Sequence, residues 1–199
     1  MKKVKIALVA LTLAAFAFDG CKKGADDPFM SIHSRKGRLA GDWKISAGSG
    51  TDVSGTNTST WSYDGAIYTQ TSGTITTTTN ITWTLNFEKD GTYKQVMTTT
   101  ATNYNDVQTE TGTWNFTSGI GDNKNKDRVV LMTLSFNEVQ TIASNTTTTN
   151  TTYAGDNAPT SNWYLDELKN KEVIFSWDGS TTDASGTDTS KGTYTLTPQ

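Results

Sequence analysis

The 199-residue chain has one cysteine, one histidine and three prolines. The lone Cys21 cannot close an internal disulfide or build a metal cluster. With His33 the sole imidazole, a zinc site lacks its usual donors, and a Ser–His–acid triad would have to pass through that one residue. No Gly-x-Ser-x-Gly run is present. Basic side chains are also short: 17 Lys and Arg stand against 20 Asp and Glu. Binding DNA or RNA needs a basic surface, so nucleic acid is not expected as a partner. "GSGTDVSG" (48–55) is not Gly-x-Gly-x-x-Gly and leads into no helix, which argues against a nucleotide loop. Asp178, Asp183 and Asp188 do not have EF-hand spacing and read as a solvated loop. Asp166, Glu167 and Glu172 come nearest to a glycosidase carboxylate pair, yet neighbours on a strand point to opposite faces. The reading is therefore not an enzyme, with no catalytic residue, no metal site and no cofactor.

What is present begins with an address. Met1 to Lys5 is a short basic head, and Ile6 to Phe18 is an apolar run of about 13 residues, suited to a signal-peptide core and too short to span a bilayer. Cys21 follows directly after Gly20. Its position suggests a lipidation site, and the stretch resembles a bacterial lipoprotein lipobox, which implies that residues 1–20 are removed as a signal peptide. Palmitate or similar chains would be carried on Cys21, and two or three chains together anchor stably. Residues 21–38 read as a lipidated tether and lead-in, and 39–199 as one domain. Removing the signal leaves about 14 basic and 19 acidic side chains, near −5 net. Lys22, Lys23, Arg35, Lys36 and Arg38 cluster beside the anchor, as a solvated linker or as contacts to lipid headgroups.

The chain is rich in threonine, 39 residues in all, and all but Thr12 lie in the domain. Threonine is β-branched and favours strands. Apolar residues of the mature chain come to about 30%, thin for a large solid core. Ile81, Trp83, Leu85 and Phe87 alternate with polar residues, the signature of a half-buried strand. Lys89-Asp90-Gly91 then turns the chain, and 92–100 returns with Tyr93 and Met97 on one face. Residues 48–55 read as a loop, 61–71 as one strand kinked at Asp64-Gly65, and 141–153 as another strand. Val130, Met132, Leu134 and Phe136 are expected to share one face. "LDELKNK" (165–171) is either a short helix or a strand end plus a turn. "QTSGTITTTTNITW" (70–83) and "QTIASNTTTTNTTY" (140–153) align without gaps and read as exposed polar hairpins. The expected fold is an all-β antiparallel meander of about eight to ten strands, closed as a barrel or folded as a sandwich.

Leu39-Ala40-Gly41-Asp42-Trp43, Phe87 to Tyr93, Gly112-Thr113-Trp114 and Gly192-Thr193-Tyr194 resemble the lipocalin-like lipoproteins of Gram-negative bacteria. The resemblance implies a lipocalin-like barrel. It places Trp43 across the closed end, with Arg38 as a possible partner of the ring, and leads to an outer-membrane location through the lipid anchor. Asp26-Asp27 near the anchor resembles a surface-export signal and favours the cell surface over the periplasmic face. Trp61, Tyr63, Trp83, Tyr93 and Trp114 are either barrel core or, if their faces coincide, a lining for a small, partly apolar ligand or a sugar. The working expectation is a monomeric, membrane-anchored carrier of such a ligand. The alternative is a structural or adhesive surface module that contacts protein or glycan and has no small-molecule ligand.

Overall fold

The computed structural model describes residues 34–117, 127–183 and 186–199. The expected signal peptide (1–20) and the expected tether up to residue 33, with Cys21, Asp26-Asp27 and His33, lie outside them. A five-residue helix, α1 (Arg35–Leu39), leads into eleven strands: β1 (Gly41–Ser54), β2 (Asn57–Tyr63), β3 (Ile67–Ser72), β4 (Ile75–Phe87), β5 (Thr92–Ala101), β6 (Tyr104–Thr117), β7 (Arg128–Ile142), β8 (Asn145–Thr152), β9 (Thr160–Leu168), β10 (Val173–Asp183) and β11 (Gly186–Pro198). A 3-10 turn, Gly155–Asn157, joins β8 to β9.

Every pairing is antiparallel, and the sheet closes on itself. Around its lower half the ring runs β1, β4, β5, β6, β7, β9, β10, β11 and back to β1, eight strands in all. An eight-stranded ring has an interior that side chains can fill or that can hold one small ligand. The upper half is wider because extra strands are let into the wall. The β2–β3 hairpin enters between β1 and β4: Gly41 to Lys44 pair with β4, and Gly48 to Ser54 pair with β2. β8 likewise flanks the upper part of β7, where β9 pairs only with the lower part. The fold is an all-β barrel with meander order, not a sandwich.

The alternation in β4 does what it predicts. Leu85 and Phe87 are each 1% exposed, and Ile81 and Trp83 pack against the core from above. Their partners Tyr93, Gln95 and Met97 share the inward face. "LDELKNK" is the end of β9 and a turn.

Four local readings change. Residues 48–55 are mostly strand, because the glycines there make room for aromatic rings and do not mark a loop. Residues 61–71 are two strands, not one; Asp64 Oδ1 accepts the N–H groups of Ala66 (3.0 Å) and Ile67 (2.7 Å), and Gly65 takes φ 96° in the turn. Residues 141–153 also divide, with a turn at Ala143-Ser144. In β7 the inward residues near the closed end are Val129, Leu131 and Thr133, not Val130, Met132 and Leu134. A bulge opposite Thr111-Gly112 shifts the register, so Phe136 pairs with Glu110 and faces inward above it.

The lower end of the barrel is a packed apolar plug of Leu39, Ile45, Leu85, Phe87, Val129, Leu168, Val173, Phe175 and Leu196. Each fully buried residue of this kind contributes roughly 1.5–3 kcal/mol. α1 covers this end. Ser34 caps it by accepting the Gly37 N–H at 3.0 Å.

Candidate functional site

The plug stops half way up. Above it, between β4, β5, β6, β7, β9, β10 and β11, lies a cavity of about 490 Å³. Its walls include Trp83, Tyr93, Leu131, Trp163, Trp177 and Tyr194, and its polar lining includes Gln95, Glu110, Ser161 and Asn162. That volume is within the range of small-molecule sites.

The strand order explains why space is left here. β9 and β10 pair only from Val173–Leu168 to Ser176–Tyr164. Above Ser176, β10 has no ladder on that side, and Thr160 to Asn162 of β9 pair only with β7. The two strands part, and the cavity sits where they do, with Thr160 to Trp163 on one side and Trp177 and Asp178 on the other. A side window in the wall follows from this parting.

An aromatic layer roofs the cavity. Trp61 stacks on Trp177 (centroids 5.6 Å apart, 15° between planes) and on Tyr68 (5.9 Å). Tyr194 lies 4.5 Å from Trp177 and meets Trp83 edge-on at 4.8 Å. Above the layer is a mouth of about 560 Å³ whose lining includes Asp52, Ser59, Ser72, Thr181 and Ser190. Ser190 Oγ donates to Asp52 Oδ1 at 2.6 Å.

Among the described strands, every inward-facing charged position is acidic. Asp52, Asp106, Glu110 and Glu138 occupy inward register positions on β1, β6 and β7. Lys44, Lys94, Arg128 and Lys191, the cations of the described strands, occupy outward positions. The remaining described cations are on α1 or in turns at the closed end. Burial raises the Glu110 carboxyl above the ordinary carboxylate range, offset in part by a hydrogen bond from Thr133 Oγ1 at 3.4 Å. The Tyr93 hydroxyl is 2.8 Å from the same Thr133 Oγ1. Burial also raises the phenols of Tyr93 and Tyr194.

The five candidate aromatics all face inward but at different heights. Trp83 and Tyr93 line the cavity. Trp61 belongs to its aromatic roof. Tyr63, 5% exposed, is core, with its hydroxyl donating to the Ile81 carbonyl at 3.0 Å. Trp114, 3% exposed, packs edge-on against Phe87 near the closed end, and its indole N–H donates to the Glu88 carbonyl at 3.0 Å. Trp43 and Arg38 are both buried at that end: Trp43 Nε1 donates to the Leu39 carbonyl at 2.8 Å and Arg38 Nη1 to the Leu168 carbonyl at 2.9 Å.

Trp163, Trp177 and Tyr194 were not among the candidates. The alternation of Val173, Phe175 and Trp177 carried the signal for one of them, and the Gly192-Thr193-Tyr194 motif for another. Among the described residues no group of three His, Cys, Asp or Glu side chains is placed to hold a metal ion. Comparison with family models, with curated proteins and with solved structures found no match to this chain.

Proposed function

We propose that the protein is a lipid-anchored lipoprotein whose lipocalin-like barrel takes up a small, partly apolar ligand in the cavity beneath the Trp61–Trp177 stack. The observation that carries the reading is the cavity itself: about 490 Å³ of space walled by Trp83, Trp163, Trp177 and Tyr194. A surface module that works by its exterior alone gains nothing from interior space, which leaves aromatic surface unpacked and forfeits dispersion contacts. The anchor rests on the sequence around Cys21, and the outer membrane, with display at the cell surface, on that anchor and on Asp26-Asp27. α1 joins the barrel at its closed end, so a tether attached there leaves the mouth and the side window facing away.

Two measurements test the reading. Nile red, a neutral apolar dye, should bind saturably and quench tryptophan emission, and Ser161→Trp, which fills the cavity, should abolish this. Absence of saturable quenching in the wild type overturns the ligand site. Fatty-acid labelling of cells should mark the wild type and not Cys21→Ser; label that persists in the variant overturns the anchor.

A further inference from the structure

We infer that the ligand of this cavity is a small organic cation, an ammonium group on an apolar or aromatic body, with Glu110 as its counter-charge. The inference rests on the cavity reading above and adds the chemistry of the occupant.

Three observations converge on it. First, Glu110 is the inward carboxylate of the cavity wall, and its neighbours across the β5 and β7 ladders are Gln95 and Phe136, neither of which can neutralise it. Among the described residues its hydrogen-bond donor is the neutral Thr133 hydroxyl, at 3.4 Å. Second, the negative charge continues up the same face of β6. Asp106 is only 4% exposed, its Oδ1 has no hydrogen-bond partner, and its Oδ2 accepts from Gln108 Nε2 at 2.9 Å. That amide nitrogen is shared with Glu138 Oε1 at 3.2 Å. Two carboxylates thus divide one neutral donor, and no described Lys or Arg of the strands reaches the interior to balance them. Third, Trp83, Tyr93, Trp163, Trp177 and Tyr194 bring indole and phenol rings to the wall, beside the neutral Gln95, Ser161 and Asn162. Aromatic faces attract cations through their quadrupole, most strongly for indole and most of all when the cation has left water. An anionic ligand would meet the reverse of each term.

The Trp83 indole N–H adds a detail. It is buried without an acceptor, although Trp83 lines the cavity. A hydroxyl or carbonyl on the ligand body would satisfy it. Asp178 stands exposed at the rim of the window, with Lys191 opposite it on the outer face, so the rim gives little net selection and the discrimination falls to Glu110.

The test uses the full-length barrel and three one-ring probes followed by tryptophan fluorescence and calorimetry: benzyltrimethylammonium, benzyl alcohol and benzenesulfonate. The cation should bind at least about tenfold more tightly than the neutral probe, and the anion most weakly. Glu110→Gln should remove the preference for the cation and leave the neutral probe unchanged. Gln95→Glu, which adds a second carboxylate across the ladder, should strengthen cation binding, and it serves as the decisive variant if Glu110→Gln does not fold. Neutral binding without a cation preference, or a preference that survives Glu110→Gln, overturns the cation assignment and leaves the cavity reading intact. No saturable binding of any probe, together with no binding of Nile red, overturns both.

Discussion

Gly50 stands directly across the β1–β2 ladder from Trp61, and a Cβ at position 50 would lie 2.5 Å from both Cε2 and Cζ2 of the indole. The glycine is the space the ring occupies. Gly48 does the same beneath Tyr194, where a Cβ would lie 2.7 Å from Cδ1, and Gly192 beneath Trp177, at 2.5 Å. Three missing side chains let three rings lie flat against the wall and form the roof of the cavity. Gly50→Ala should therefore cost about 1–3 kcal/mol, the usual range for forced overpacking. Gly179→Ala, on the same sheet but with its nearest contact at 4.0 Å, should stay within about 0.5 kcal/mol. Urea unfolding measures both, and near-ultraviolet circular dichroism should lose the signature of the Trp61–Trp177 stack only in Gly50→Ala. Equal, small losses would show that the rings have room to move.

The inward face of β4 gives a second contrast. Phe87→Ala removes a ring that is 1% exposed and should cost about 3–5 kcal/mol. Thr82→Ala, on the exposed face of the same strand, should cost less than about 0.5 kcal/mol. A loss below about 1 kcal/mol for Phe87→Ala would contradict the register of the β4–β5 ladder.

Ala143 occupies a left-handed conformation, φ 54°, in the turn between β7 and β8. Gly73, φ 59°, holds the corresponding place between β3 and β4. The two hairpins match in detail: Thr71 and Thr76 hydroxyls meet at 3.1 Å, and Thr141 and Thr146 at 3.0 Å. A side chain in that conformation costs roughly 1–2 kcal/mol, of which the greater freedom of unfolded glycine takes back part. Ala143→Gly should stabilise the protein by about 0.5–1 kcal/mol, measured by thermal unfolding. A loss of stability would contradict the strained turn.

Glu110 sets a pH dependence. Burial holds its carboxyl above the unfolded value of about 4.3, so the folded chain keeps the proton more tightly than the unfolded one. Its contribution to stability is fully present below the unfolded pKa and is lost as pH rises through the raised folded value. Glu110→Gln keeps an oxygen to accept from Thr133 and never ionises. Its melting temperature relative to wild type should climb as pH increases from about 4.3 towards neutrality, with Tyr93, Asp106 and Glu138 the other titrating groups on the adjoining inward faces. A constant offset between the two proteins across that range would show that Glu110 feels no burial.

The strands with one wet face were legible in the sequence, because alternation is set by the pleat: 81–87 is the clearest case. The number and spacing of strands led to an antiparallel meander, barrel or sandwich, and the β1–β4 and β7–β9 ladders decide for the barrel. Two kinds of feature were misread for physical reasons. Glycine signals either a turn or a close approach, and in "GSGTDVSG" the sequence alone does not show that rings from β2 and β11 lie over Gly48 and Gly50. In β7, an apolar run with residues on both faces has no alternation to fix its register, and the bulge beside Gly112 decides it through backbone geometry: a Cβ there would collide with the Met132 carbonyl. The site was half visible. Trp83 and Tyr93 were found on the most regular strands, while Glu110 is one acidic residue among many until the ladders place it opposite Gln95 and Phe136.

The backbone N–H of Gln199 donates to the Asp42 carbonyl at 3.1 Å, and β11 runs beside β1 for almost its whole length. The order of strands around the ring therefore has no break where the chain has one. A linker could join residue 199 to residue 34, keeping α1 and its buried Leu39, and new termini could be cut in the exposed turn at Ala143-Ser144, giving a circular permutant with the same ladders. The same adjacency puts both ends of the barrel chain opposite the mouth, so a sensor surface or a fusion partner attached at either end leaves the window between β9 and β10 open to solution.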